Sequence, residues 1–202
     1  EIISSNGVGY DGVDTDAATA RGVPVCHTPN VLNQEVATTA LMLYIAALRN
    51  LEAEMAHARA GRWELAGNLP LARSADNRTI GILGLGRIGK AIAAKLAPFE
   101  PTIVYYGRSQ QDVPFRYYHD LVAMAQACDA LICVAPGGAA THHLINRAVI
   151  DALGPDGVLV NVGRGSVVDE AALILALQEG RLGTAALDVF ESEPRIPDAL
   201  RS

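Results

Sequence analysis

The sequence predicts an α/β protein built on a doubly wound parallel sheet, and two observations carry that prediction. Apolar runs of strand length recur near Ile80–Leu83, Thr102–Tyr106, Ala130–Val134, Val158–Asn161 and Thr184–Leu187, with helical patterns between most of them. Such alternation specifies parallel strands joined by covering helices. The stretch Thr79–Ala94, T-I-G-I-L-G-L-G-R-I-G-K-A-I-A-A, also switches at its glycines from a buried-strand run to helical spacing through Ile88, Ala91, Ile92 and Leu96. In that corner Gly84 suits a tight turn, Gly86 leaves the backbone open to a pyrophosphate, and Gly89 lets the new helix pack on the strand with its N-terminal N–H groups facing the anion. Strand before, helix after and a further strand at βαβ distance make this a Rossmann-type dinucleotide corner.

Ahead of it, a first segment, residues 1–71, reads as strand, helix and strand followed by a long helix. Ile2 and Ile3 suggest a strand running into Ser4-Ser5-Asn6-Gly7-Val8-Gly9-Tyr10-Asp11-Gly12, which is rich enough in glycine to be either a turn or a ligand cradle. Asp14 caps a short helix, Thr15–Arg21, that stops at Gly22, and Val23-Pro24-Val25-Cys26 reads as an edge strand because Pro24 cannot donate to a central ladder. From Asn33, taken as N-cap, the apolar positions Val36, Ala40, Leu43, Tyr44, Ala47, Leu48, Leu51 and Met55 predict one long helix ending at Gly61. Its second half is polar and is expected to project from the body, with Trp63 beyond its end read as a packing residue.

A net charge of -6 and a pI near 5.3, with both signs interspersed, give no electrostatic footprint for nucleic acid or an anionic membrane surface. Half the residues are apolar and mean hydropathy is +0.20, enough for a sizeable core. The longest apolar run, Ala40–Leu48, is too short to cross a bilayer. Cys26, Cys128 and Cys133 lack metal-site spacing and read as thiols in a reducing compartment, so the expectation is a cytoplasmic protein with no metal.

In doubly wound sheets ligands bind beyond the carboxyl ends of the strands. Those positions hold Gly107-Arg108-Ser109, Ala135-Pro136-Gly137, Val162-Gly163-Arg164-Gly165-Ser166 and Asp188-Val189-Phe190-Glu191-Ser192-Glu193-Pro194. Arg164, between two glycines, is placed to meet a planar carboxylate bidentately unless it serves a structural ion pair. Asp169 and Glu170 read as a helix cap. The end of Thr102–Tyr106 is where an NAD-binding fold places the carboxylate that takes the ribose 2′-OH, about 20 residues beyond the glycines. Gly107, Arg108 and Ser109 stand there instead. Room, a planar cation and a hydroxyl suit a 2′-phosphate, so NADPH is expected in preference to NADH.

The strings N-V-G-R-G-S-V-V-D-E-A-A-L and L-D-V-F-E-S-E-P, with G-L-G-R-I-G and the upstream S-N-G-V-G-Y-D, resemble the D-isomer-specific 2-hydroxyacid dehydrogenases, and within them the glyoxylate/hydroxypyruvate reductases. The resemblance implies a homodimeric oxidoreductase acting on a small 2-oxo acid, with residues 1–71 belonging to a flavodoxin-like substrate domain split in sequence and residues 72–202 forming the cofactor domain. It implies that Arg164 holds the substrate carboxylate and 2-oxo group, that Glu193 tunes a catalytic histidine, and that the backbone N–H groups of Val8 and Gly9 grip the carboxylate. Gly84, Leu85, Gly86, Arg87, Ile88 and Gly89 would then face the pyrophosphate, while Pro136, Val162 and Asp188 line the rest of the cofactor crevice.

The family's histidine follows a proline downstream of the L-D-V-F-x-x-E-P turn, and His27, His57, His119, His142 and His143 each have a structural reading instead. The expectation is therefore a middle portion of a longer enzyme, inactive by itself. A second reading on the same scaffold is a dinucleotide-sensing, partner-binding module like the corepressors that resemble this family.

Overall fold

The computed structural model describes residues 1–201. Six parallel strands, β3 (Thr79–Leu83), β4 (Thr102–Tyr106), β5 (Arg116–Tyr117), β6 (Ala130–Cys133), β7 (Val158–Asn161) and β8 (Thr184–Leu187), form one sheet in the order β5-β4-β3-β6-β7-β8. The chain winds outward from β3 in both directions, which is the Rossmann arrangement and makes the end of β3 the topological switch point. All four longer predicted strands after the glycine corner form within a residue of their expected ends. The two-residue edge strand β5 was not anticipated, since it is too short to carry a period.

Both faces of the sheet are buried, and strict alternation sorts the side chains between them. Ile80, Ile82, Ala130, Ile132, Val158 and Val160 face a core shared with Tyr44, Leu48, Ile92 and Leu96. These partners come from helices α2 (Asn33–Leu48) and α5 (Arg87–Leu96). Leu83, Leu131, Cys133 and Leu159 face the opposite core with Met124, Val149, Ile150 and Leu173, contributed by α6 (Leu121–Gln126), α7 (Arg147–Leu153) and α8 (Glu170–Gln178). Burial pushes the Cys133 thiol up to about 12 and the Cys128 thiol likewise to about 12, so both are inert apolar fillers. The three cysteines are unpaired.

In the first segment, β1 (Ile3–Ser4) and β2 (Val25–Cys26) pair in parallel around α1 (Thr15–Ala20). Asp14 caps α1 as expected, accepting from Ala17 N at 2.8 Å. The long helix expected over Asn33–Gly61 is broken. α2 ends at Leu48, Asn50 turns left-handed at φ 49°, and α3 (Leu51–Arg59) and α4 (Arg62–Ala66) follow, separated by Gly61 at φ 65°. An asparagine tolerates that conformation, which ends the helix where its apolar face leaves the sheet. Asn33 is the first residue of α2 rather than its cap; Leu32 holds that position with no side-chain bond.

No residue of α3 or α4 is buried. Trp63, expected to pack, is 66% exposed and donates from Nε1 to Asn68 Oδ1 at 2.7 Å. Leu51, Met55, Leu65 and Leu71 are exposed beside it among charged side chains, so residues 49–71 form an exposed arm off the body. Among the described residues no helix is long and apolar enough to cross a membrane.

Candidate active site

The glycine corner has the geometry its spacing implies. Gly84 adopts φ +100°, and a side chain there would press on the backbone of Val134 and Ala135 at 3.1 to 3.2 Å. A Cβ on Gly89 would overlap the Gly84 carbonyl oxygen, so α5 starts in contact with the turn, whereas a Cβ on Gly86 would meet nothing within 4 Å. The first N–H groups of α5 have no intrahelical acceptor, no side chain caps the helix, and Gly86, Arg87 and Ile88 border the opening while Leu85 is buried. An anion-sized space bounded by free N–H groups is what a pyrophosphate requires, so these residues fit a dinucleotide.

Across from this corner, Leu83 pairs in register with Tyr106, and the Gly84 N–H donates to the Tyr106 carbonyl at 3.0 Å. Gly107, Arg108 and Ser109 therefore emerge beside the glycines. Their loop is fastened by Tyr117 Oη donating to the Gly107 carbonyl at 3.1 Å and by Gln111 Nε2 donating to the Leu85 carbonyl at 2.8 Å. Arg108 is exposed, and among the described residues it has no ion pair.

On the other side of the switch point, Val162, Gly163 and Arg164 follow β7. Asn161, 1% exposed, clamps them with both ends of its amide: Oδ1 accepts from Gly163 N at 3.0 Å and Nδ2 donates to the Arg164 carbonyl at 3.0 Å. This residue was missed in the sequence, where it looked like the last position of a strand. A buried amide has to be satisfied, and that requirement was the available signal. The glycines flanking Arg164 are each packed against a neighbouring loop. A Cβ on Gly163 would press on the Ala135 backbone and one on Gly165 would overlap Phe190, so both serve close packing of neighbouring strand-end loops.

The Val8–Gly9 loop comes to this same end of the sheet. His27 donates from Nδ1 to the Val8 carbonyl at 2.9 Å, a bond whose carbonyl acceptor fixes the tautomer, and its ring meets Tyr10 edge-on at 5.1 Å. Arg164 lies against the loop so closely that a Cβ on Gly9 would overlap Nη2. The guanidinium is also paired: Nε donates to Asp11 at 3.2 and 3.1 Å, and Nη1 donates to the Gly163 carbonyl at 2.8 Å. Burial raises the Asp11 carboxyl, but the hydrogen bond from Arg164, a backbone hydrogen bond and the arginine's charge outweigh it and hold the group below its ordinary value. Pro136 is exposed on the adjoining loop.

The turn after β8 supplies Asp188, exposed at the strand end, and Glu193, whose Oε1 accepts from Phe190 N at 2.8 Å. Among the described residues none of the histidines bonds Glu193. Glu170, expected only as part of a cap, is 7% exposed and accepts from Glu191 N at 2.6 Å, anchoring the turn; Asp169 does cap α8, accepting from Ala172 N at 3.0 Å. Glu191 Oε1 meets His143 Nε2 at 2.7 Å, and His142 stacks on His143 with centroids 3.9 Å apart at 28°. The ligand atoms of these three lie within 4.8 Å of one another. Both Nε2 atoms face the same carboxylate oxygen, Glu191 Oε1, at 2.7 Å from His143 and 3.9 Å from His142.

The NAD binding domain of the D-isomer specific 2-hydroxyacid dehydrogenases matches residues 41–202. Glyoxylate/hydroxypyruvate reductase A of Arabidopsis thaliana is 45% identical over 99% of this chain and 64% of its own length. A 2-ketogluconate reductase of Gluconobacter oxydans is 43% identical over 100% of this chain and 65% of its own. The crystal structure of an NADPH-dependent glyoxylate/hydroxypyruvate reductase from Sinorhizobium meliloti, in complex with NADP and malonate, is 51% identical and superimposes with a TM-score of 0.96, covering 100% of this chain and 64% of that one. The chain thus spans a little under two thirds of these relatives. The family match over most of the chain and the identity to these relatives show that the chain belongs to the D-isomer-specific 2-hydroxyacid dehydrogenase family.

Proposed function

We propose that this chain is the cofactor-binding portion and part of the substrate-binding portion of an NADPH-dependent reductase that converts a small 2-oxo acid, of the glyoxylate or hydroxypyruvate type, into the D-2-hydroxy acid. The observation that carries the reading is the convergence of Arg164 and the Val8–Gly9 loop beside the glycine corner. The division is residues 1–71 as the last part of the split substrate domain with its linking helix, of which α2 packs on the sheet, and 72–202 as the cofactor domain, in the cytoplasm.

When bound, the reduced nicotinamide supplies the hydride that reaches the 2-oxo carbon. The chain's own residues bind and orient the substrate. The Val8 and Gly9 N–H groups hold the substrate carboxylate, and Arg164 faces the carbonyl oxygen, where negative charge develops. Glu193 would orient the family's proton-donating histidine, a role none of the five histidines here takes. Gly86 to Gly89 hold the pyrophosphate, with Pro136, Val162 and Asp188 along the crevice.

Gly107, Arg108 and Ser109 favour NADPH, because a ribose 2′-phosphate meets a cation and no carboxylate at the end of β4; the Sinorhizobium meliloti relative, described as NADPH-dependent and bound to NADP, supports this. Reductase descriptions among the relatives favour the enzyme over a sensing module. The arm of residues 49–71, with Leu51, Met55, Trp63, Leu65 and Leu71 exposed on it, supports a homodimer, since large apolar side chains gathered on one projection are normally covered.

The test is steady-state reduction of glyoxylate and hydroxypyruvate by the full-length protein and its Arg164→Lys variant. A lysine cannot reproduce the fork, and losing one preorganised donor to a developing oxyanion lowers turnover roughly a hundredfold. Unchanged turnover would remove Arg164 from the reaction.

A further inference from the structure

We propose that Asp11 is the positioning residue for Arg164: it grips the guanidinium at Nε, so that only the Nη2 corner is presented to a 2-oxo acid. This rests on the reductase reading and deepens it.

An arginine side chain is long and flexible, and an unrestrained one delivers its fork to a ligand only after losing rotamer freedom. Here two sides of the fork are already occupied. Nε–H is shared between the two Asp11 oxygens at 3.2 and 3.1 Å, and Nη1 is fixed to the Gly163 carbonyl at 2.8 Å. Nη2 has no hydrogen-bond partner among the described residues, and it lies against Gly9, where a Cβ would overlap it. The free donors therefore point at the loop proposed to hold the substrate carboxylate.

The site is shaped around the pair. A Cβ on Gly137 would lie 3.1 Å from Asp11 Oδ2 and 3.2 Å from Arg164 Cγ, and one on Gly9 would lie 2.6 Å from Asp11 Oδ1. Three loops thus close on the contact: a side chain on Gly9 would displace it, and one on Gly137 would press on it by a few tenths of an ångström. The partners are 153 residues apart, one from the Val8–Gly9 loop and one from the end of β7, so the grip forms only when the first segment is seated on the sheet. The arrangement also has an electrostatic cost. Asp11 is ionised at neutral pH and offsets part of the attraction between Arg164 and an anionic substrate. A group kept for charge alone would not be a carboxylate at this place; orientation is what it contributes.

That cost separates positioning from its rival, in which Asp11 merely competes with substrate for the guanidinium. The experiment measures NADPH-dependent glyoxylate reduction by the full-length protein, its Asp11→Asn and Asp11→Glu variants, Arg164→Lys, and Asp11→Asn combined with Arg164→Lys. NADPH affinity by nicotinamide fluorescence reports integrity of the fold in each. Loss of a charge-assisted contact should lower kcat/KM of Asp11→Asn roughly ten- to a hundredfold, with KM raised and NADPH affinity unchanged. Asp11→Glu, which keeps the charge on a longer arm, should fall between. In the Arg164→Lys background there is no Nε to hold, so adding Asp11→Asn should change kcat/KM by less than about threefold. A lowered KM in Asp11→Asn, or a loss equally large in the Arg164→Lys background, overturns the proposal while leaving the reductase reading intact. A wild type that reduces neither glyoxylate nor hydroxypyruvate overturns both.

Discussion

Two glycines three residues apart in the phosphate corner should fail in opposite ways when each is changed to alanine. In Gly89→Ala the new Cβ overlaps the Gly84 carbonyl oxygen and lies 3.2 Å from its carbonyl carbon and 3.3 Å from Ile82 Cγ2. Two of those three atoms are backbone, so no side chain can swing aside and α5 has to lift from the turn. Alanine gains at most about 1 kcal/mol of helix propensity over glycine, against about 1 to 3 kcal/mol for overpacking a closed contact. Overlap with a backbone oxygen puts the cost at the upper end of that range, and the net loss of about 2 kcal/mol lowers Tm by several degrees in a protein of this size. In Gly86→Ala the Cβ meets no atom within 4 Å and the backbone sits at φ -82°, so the fold should be indifferent. The methyl instead occupies the space where a pyrophosphate would approach, and intrusion of about 1 to 3 kcal/mol corresponds to a roughly five- to hundredfold weaker Kd for NADPH. Thermal unfolding without cofactor, paired with fluorescence titration of NADPH, separates the two. Gly89→Ala should shift Tm; Gly86→Ala should keep Tm but lose most of the stabilisation that saturating NADPH confers on the wild type. Full NADPH affinity in Gly86→Ala would refute a pyrophosphate at this corner, and an unshifted Tm in Gly89→Ala would refute the close helix–turn contact.

The proposed 2′-phosphate contact predicts that Arg108→Ala costs NADPH roughly ten- to a hundredfold in kcat/KM while NADH is nearly unaffected; equal losses, or a wild-type preference for NADH, would show that Arg108 does not read the phosphate. Glu170→Ala should deprive the Glu191 N–H of its buried carboxylate acceptor and cost about 1 to 3 kcal/mol of stability, lowering Tm by several degrees, whereas Glu170→Gln, which keeps an acceptor oxygen, should restore most of it. A fully stable Glu170→Ala would mean that the turn bearing Glu193 is anchored elsewhere.

Local pattern by itself determined the strands, because a buried parallel strand must be apolar on both faces and so writes itself as a continuous run, as Val158–Asn161 does. It also determined the glycine corner, where turn, open space and close packing each exclude a side chain for a different reason. Continuous helical spacing could not reveal the break at Asn50, since a left-handed residue leaves the apolar period on either side intact. Nor could pattern show what Trp63 touches, for an aromatic reads the same whether it packs inside its own chain or stands on an exposed arm. The candidate site divides in the same way. Arg164 and the Val8–Gly9 loop were legible as strand-end and glycine-rich motifs, but Asp11, Gly137 and Glu170 act through contacts with residues 21 to 153 positions away. Only the tertiary structure decided those, because a hydrogen bond between distant segments leaves no period in either one, and the folded sheet is what brings their strand-end loops within reach of each other.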